Sequence, residues 1–251
     1  HAPLVRYVRE ERLGESAARN CALREAHGAI LAFLDDDAVA EPQWLRALSE
    51  PFADPTVGAA GGPIRLRYET PPPAWLDARL TPYLSAFDAG TAATDLHYPD
   101  YPRGANMAFR RSVFEAAGPF SERYGRRAAC LMSYSETEMC WRVERAGWRI
   151  VYAPTAWVDH IVPPGRLEPD WFRRRIHWQG RSMALFEAEH LGVRHVLKQV
   201  PLQLAKCLVR PRLHRARHAG WLSAAMLALL HPPRQDGAPP FHVATSAKAS
   251  G

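Results

Sequence analysis

Lysine is nearly missing from this chain: of 32 basic residues, only Lys198, Lys206 and Lys248 are not arginine. Cysteine is scarce as well. Cys21, Cys130, Cys140 and Cys207 are the only four in 251 residues, and no two form a C-x-x-C pair. That argues against a zinc ribbon or a disulfide scaffold and for free thiols in a reducing compartment. No apolar run approaches the roughly 18 residues of a membrane-spanning helix. There is no internal repeat, so solenoid, collagen and coiled-coil architectures are excluded. The first residue is His1 rather than Met, and no secretory leader pattern follows it.

What remains is an ordinary globular composition, 47% hydrophobic and 23% charged, enough for one large domain or two small ones. The net charge is +6 and the pI about 9.4. Arginine grips phosphate and carboxylate with a rigid planar fork. The balance suits a phosphorylated ligand, an anionic membrane surface or a nucleic acid, and a GC-rich genome gives the same bias without any ligand. Nucleic acid is the weakest of these, because no recognition motif or aromatic stacking pattern accompanies the arginines.

The patterning predicts a strand over Leu4–Val8, a helix over 15–28 capped by Ser16 and stopped by Gly28, and a buried parallel strand over Ala29–Leu34. A helix over 42–52, a strand over 57–62, a strand over 104–110 and a short helix over 112–118 follow. Residues 69–102, rich in proline, read as a loop insertion at the substrate face. A helix over 136–147 precedes a strand within 148–158, and residues 169–230 read as mostly helical and basic. Strands alternating with helices give an α/β class with a mostly parallel sheet. Trp221–Leu230 is too short to span a bilayer. It reads either as a terminal helix packed on the domain or, flanked by Arg210, Arg212, Arg215 and Arg217, as a helix lying on an anionic membrane.

Three adjacent aspartates, Asp35, Asp36 and Asp37, end the apolar run Ile30–Leu34. Such a cluster at the carboxyl end of a buried strand suits Mg²⁺ or Mn²⁺ bridging phosphate oxygens. A solvated acidic turn is the plain alternative. His160 follows Ala156-Trp157-Val158 and is either a metal ligand or an ordinary histidine after a strand. Glu136 and Glu138 open a helix, which the helix dipole alone would favour and which a general base could also use. Gly104-Ala105-Asn106 either lets a ligand approach closely or only turns the chain. Trp75, Tyr83, Trp171 and Trp178 could stack on sugar rings or simply pack.

Taken in order, G-x-S-x-A-R-N (Gly14–Asn20), A-x-G (Ala26–Gly28), F-L-D-D-D (Phe33–Asp37), G-A-N-M-A-F-R (Gly104–Arg110), S-E-T-E-M-C-W-R (Ser135–Arg142), A-G-W (Ala146–Trp148) and V-D-H (Val158–His160) resemble family 2 glycosyltransferases of the GT-A fold over roughly residues 4–185. The resemblance implies an inverting, metal-dependent, hexosyltransferase-like enzyme. Such an enzyme moves a sugar from a nucleoside-diphosphate sugar to a hydroxyl acceptor, a saccharide or glycolipid of bacterial polysaccharide or glycolipid synthesis.

The resemblance also implies roles. Glu136 is the catalytic base. Asp37 and His160 hold Mn²⁺ or Mg²⁺. Arg19, Asn20, Asp35, Asp36, Gly104 and Asn106 bind the sugar nucleotide. Two departures stand out. The base motif is Ser135-Glu136, where the family often has Glu-Asp. The family's opening strand–helix–strand unit, which carries a base- and ribose-binding aspartate, is not found, so the fold is expected to be incomplete at its N-terminus.

The division expected is a GT-A domain over 1–185, a basic helical extension over 186–231 and a disordered tail over 232–251. A cytoplasmic location is expected, with contact at the inner membrane face. A metal-dependent nucleotidyltransferase, and a non-catalytic truncated relative that binds membrane through its basic helices, remain the alternatives.

Overall fold

The computed structural model describes residues 5–210 and 212–230. In chain order its first elements are α1 (Glu15–Glu25), β1 (Ile30–Phe33), β2 (Ala38–Ala40), α2 (Trp44–Ser49), β3 (Val57–Gly61) and β4 (Ile64–Tyr68). Then come β5 (Thr94–Asp95), β6 (Met107–Arg110), α3 (Val113–Ala117), α4 (Ser135–Arg145), β7 (Arg149–Tyr152) and β8 (Val158–Val162). The described strands form a five-stranded sheet ordered β1-β6-β3-β7-β5 and a three-stranded sheet ordered β2-β8-β4.

The α/β class holds, but the pairing is mixed rather than mostly parallel. Only β3–β7 and β4–β8 run parallel. Strand β1 pairs with β6 alone among the described strands, and antiparallel, with Ile30 opposite Arg110 and Phe33 opposite Met107. An apolar run shows that a strand is buried, not which way its neighbour points. The strand expected within 148–158 is two: β7 stays in the large sheet, and β8 crosses to the small one with His160 inside it. Residues 5–8 of the expected first strand form no strand; Val5 and Tyr7 are exposed and Arg6 is tied to Glu25 instead. Leu4 lies outside the described residues.

Two apolar layers hold the large sheet. Leu23, Phe109, Phe114, Phe120, Met139 and Val143 join it to α1, α3 and α4. Trp44, Leu48 and Phe52 cover Val57, Ala108 and Val158 on another side. Each large buried side chain contributes roughly 1.5–3 kcal/mol of transfer free energy.

Helices α5 (Pro169–Phe186), α6 (Val193–Val209) and α7 (Arg212–Leu230) follow, with one turn of π-helix, Glu187–Leu191, between α5 and α6. Helices α5 and α7 touch backbone to backbone. A Cβ on Gly180 would lie 1.8 Å from the Arg217 carbonyl oxygen, and one on Gly220 would lie 2.0 Å from that of His177. Trp221, Ala224, Ala225 and Ala228 pack inward against Ala184, Ala188 and Val196. The Trp221 indole donates to Glu187 at 2.9 Å. The packed-helix alternative therefore describes this face of Trp221–Leu230, and Met226, Leu227 and Leu230 stay exposed. The division expected at 185/186 falls at the end of α5, and residues 232–251 lie outside the described residues.

Candidate active site

The acidic turn is set between β1 and β2, and sheet register decides what it meets. Ala38 pairs with His160, and the Ile161 amide donates to the Asp37 carbonyl at 2.8 Å. Asp37 and His160 are thereby brought together, with His160 Nε2 3.3 Å from Asp37 Oδ1. His160 is buried, and its Nδ1 has no partner among the described residues. Arg166, in the 3₁₀ turn Pro164–Leu167, closes on the other side: its Nη2 lies 2.8 Å from Asp37 Oδ2. A hydrogen bond from His160, joined by the His160 and Arg166 charges, holds the Asp37 carboxyl down at about 2 against partial burial. Asp35 goes the other way. Burial pushes it up, only partly opposed by Arg19.

The second wall is built from the N-termini of α1 and α4. Tyr134, before α4, adopts the left-handed conformation (φ 74°). Ser16 does not cap α1, and Ser135 does not cap α4. Their hydroxyls lie 2.8 Å apart, Ser16 also donates to the Tyr124 carbonyl, and Arg19 Nη1 donates to Ser135 at 3.2 Å. The two helix starts are thus bolted together. Arg19 is buried and paired with Glu15 at 2.6 Å and Asp35 at 3.6 Å. Gly104 lies against Arg19, and a Cβ there would stand 2.5 Å from Arg19 Nη2 and push the guanidinium aside.

A pocket of about 230 Å³ opens between these walls. Asp35, Asp36, Asp37, Gly104, Glu136 and Arg166 line it, with Glu15, Ser85, Arg126, Ser133 and Arg175. Of the two glutamates opening α4, Glu136 faces the pocket. Glu138 is turned away, buried and paired with Arg142 at 2.7 Å.

Arg19 and His160 stand behind the pocket lining, touching it through Asp35 and Asp37, and two other expected ligand residues lie elsewhere. Asn20 exchanges both ends of its amide with the Phe120 backbone at 2.9 Å, and so fixes a loop. Asn106 is fully buried, donating to the Pro63 and Ala156 carbonyls and accepting from the Trp44 indole. Neither lines the pocket, because a buried amide surrounded by backbone is drawn to that backbone. None of the four candidate stacking aromatics lines it either. Trp75 and Trp171 pack edge-on against Phe172, Tyr83 leans on the same apolar cluster, and Arg181 covers the Trp178 ring. Sequence reasoning passed over Glu15, Arg126, Arg166 and Arg175. Arg175 is one of three consecutive arginines, and only burial separates it from Arg173 and Arg174.

Asp37 and His160 can be tested as a metal site on their own distance. Two ligands in adjacent octahedral positions, each about 2.1 Å from the ion, stand roughly 3 Å apart. The observed 3.3 Å matches that span, but the same two atoms share a hydrogen bond and Arg166 holds the other Asp37 oxygen, so a metal ion would have to replace both contacts. No cluster of three His, Cys, Asp or Glu residues exists among the described residues. Diphosphate oxygens and water would complete the shell, as is common for Mg²⁺.

The sequence profile of glycosyl transferase family 2 matches residues 1–118. Residues 1–118 belong to that family. Curated relatives extend the similarity further along the chain. A glucosyl-dolichyl phosphate glucuronosyltransferase of Haloferax volcanii is 27% identical over 73% of this chain and 59% of its own length. A pre-mycofactocin glycosyltransferase of Mycobacterium tuberculosis is 30% identical over 76% of this chain and 38% of its own. The succinoglycan biosynthesis protein ExoM of Rhizobium meliloti is 29% identical over 74% and 57%. The chain thus spans less than two thirds of the length of each. Among solved structures, a mannosyltransferase from Pyrobaculum calidifontis in complex with GDP-Man and Mn²⁺ aligns over 88% of this chain and 59% of its own, at 23% identity and a TM-score of 0.45.

Proposed function

We propose that this chain carries the catalytic pocket of an inverting glycosyltransferase, moving a sugar from a nucleoside-diphosphate sugar to an acceptor hydroxyl. The observation that carries the reading is the convergence of the Asp35–Asp37 turn and Glu136 on one pocket, with His160 3.3 Å from Asp37. Asp37 and His160 would hold a divalent cation, Mn²⁺ or Mg²⁺, which neutralises the departing diphosphate when bound. Arg19 and Arg166 add positive charge at the same end, and Asp35 and Asp36 face the sugar nucleotide. Gly104 keeps the wall low enough for the sugar to approach.

Glu136 accepts the proton of the acceptor hydroxyl as that oxygen forms its bond to the anomeric carbon. The bond from that carbon to the diphosphate oxygen breaks on the opposite face, which inverts the configuration. A nucleotidyltransferase would need no carboxylate base at Glu136, and the family membership of residues 1–118 favours sugar transfer over it. The relatives' names favour a polysaccharide or glycolipid acceptor.

The test is calorimetric titration with UDP and with GDP, with and without Mn²⁺. Asp37→Ala and His160→Ala should each weaken Mn²⁺-dependent binding about tenfold or more, the loss of about 1.4 kcal/mol from one ligand bond. Equal binding with and without the metal would contradict the assignment.

Peripheral membrane contact belongs to this reading, but on α6. No described helix is long and apolar enough to cross a membrane. Leu197, Leu204 and Leu208 form an exposed stripe along α6, with Leu202 and Val209 beside it. Residues 193–230 carry seven Lys or Arg and no Asp or Glu. An exposed apolar stripe with cations and no anions suits an anionic bilayer surface.

A further inference from the structure

The pocket holds charges of both signs. Its acidic end, Asp35, Asp36 and Asp37, has its own arginines: Arg19 on Asp35 and Arg166 on Asp37. Arg126 and Arg175 line the same pocket with Ser133, Glu15 and Glu136; the Arg126 backbone amide donates to Glu15 at 3.1 Å, and neither guanidinium has an ion pair among the described residues. Arg175 is only 9% exposed. Its Nη1 is fixed by Ser133 Oγ and Gln179 Oε1, both at 2.8 Å. Its Nε is buried with no hydrogen-bond partner. That leaves the side-on edge, Nε with Nη2, which is the edge that takes two oxygens of one carboxylate or phosphate. The Glu136 and Glu15 carboxylates oppose the Arg175 charge without reaching ion-pair contact, so burial and the second arginine still make this guanidinium costly. Burial, with the Arg126 charge behind it, lowers the Arg175 pKa to about 10.

We infer that Arg126 and Arg175 form an oxyanion subsite beside Glu136, filled by a phosphate or carboxylate on the acceptor. The inference rests on the transferase reading. On that reading the donor's diphosphate sits with Asp37, His160 and Arg166, and the anion on Arg126 and Arg175 comes from the group that meets Glu136. The substrate class is then an acceptor whose attacked hydroxyl lies close to a phosphate, as in a phosphate-linked lipid or sugar phosphate, or to a uronic carboxylate. Arg175 is held rigidly and would set its orientation. Arg126, half-buried and unpaired, would close over it.

The experiment titrates the full chain with inorganic phosphate by calorimetry at fixed ionic strength, first alone and then in the presence of saturating UDP or GDP with Mn²⁺. Arg126→Gln and Arg175→Gln should each weaken phosphate binding about tenfold or more, the loss of a charge-assisted contact. Arg175→Lys should fall between parent and Arg175→Gln. Nucleoside diphosphate binding should change less than about threefold in all of them, and phosphate should still bind when the nucleotide is present. Arg126 is not in the core, so Arg126→Gln keeps the test open should Arg175→Gln fail to fold. Displacement of phosphate by the nucleotide, or parallel loss of both ligands in the variants, would assign the arginines to the donor diphosphate and overturn the inference. Phosphate binding that is absent, or indifferent to both substitutions, would also overturn it. Absence of nucleotide binding would count against the transferase reading, leaving the phosphate titration to decide the subsite alone.

Discussion

The sheet-bearing part of the chain and the helical part after Pro169 use charge in opposite ways. In the first, acidic and basic groups are interleaved at the pocket in two sets of contacts, Glu15–Arg19–Asp35 and His160–Asp37–Arg166. In the second, residues 193–230 carry cations alone, and the apolar side of α6 faces outward. Arg175 belongs to the helical part by position but to the pocket by burial. The difference teaches that arginine content alone says little here. What matters is whether a guanidinium has a carboxylate within reach, and whether water or protein surrounds it.

Stability changes should follow this contrast. The largest is expected where the helical part is fastened to itself. Gly180→Leu would drive a side chain into the Arg217 carbonyl, so α7 should separate from α5, with loss of about 3 kcal/mol or more. Thermal melting would read it as a lower or split transition. Next comes the floor behind the pocket. Asn106→Ala strips partners from two carbonyls and one indole N–H, on the order of 3 kcal/mol. A melting temperature equal to that of the parent would show that Asn106 is free to serve a ligand after all.

A smaller effect is expected at Asp37, whose side chain is 27% exposed and open to solvent screening, so its pair is worth about 1 kcal/mol. Its folded-state pKa is depressed, so the contribution is complete above the ordinary carboxylate pKa and disappears as pH falls toward about 2. The melting difference between parent and Asp37→Asn, without metal, should therefore shrink between pH 5 and pH 2.5. A difference that grows on acidification would contradict the pairing. The smallest stability effect is expected on α6. Leu204→Asp with Leu208→Asp should leave the melting temperature unchanged yet abolish flotation with phosphatidylglycerol vesicles. Unchanged flotation would remove α6 from membrane contact.

The acidic turn was legible in the sequence because an apolar run delivers it to a strand end, and Asp37 and His160 were correctly expected to meet. Spacing alone left Glu136 as one of two glutamates and the family resemblance chose it; in the structure Glu136 faces the pocket and Glu138 does not. Asn20 and Asn106 were misplaced because a motif position does not say whether an amide meets ligand or backbone. Sheet pairing was misread at Ala29–Leu34 because burial carries no direction. Arg126, Arg166 and Arg175 were invisible among 29 arginines, since only tertiary packing tells them apart.

The central claim is that binding and proton transfer are separate tasks of one pocket, and a paired measurement on Glu136→Gln tests it most directly. Nucleoside diphosphate binding with Mn²⁺ should stay within about threefold of the parent. Sugar transfer to the acceptor should fall by about 10²-fold or more. Turnover equal to the parent, or a loss of nucleotide binding as large as the loss of turnover, would contradict the account.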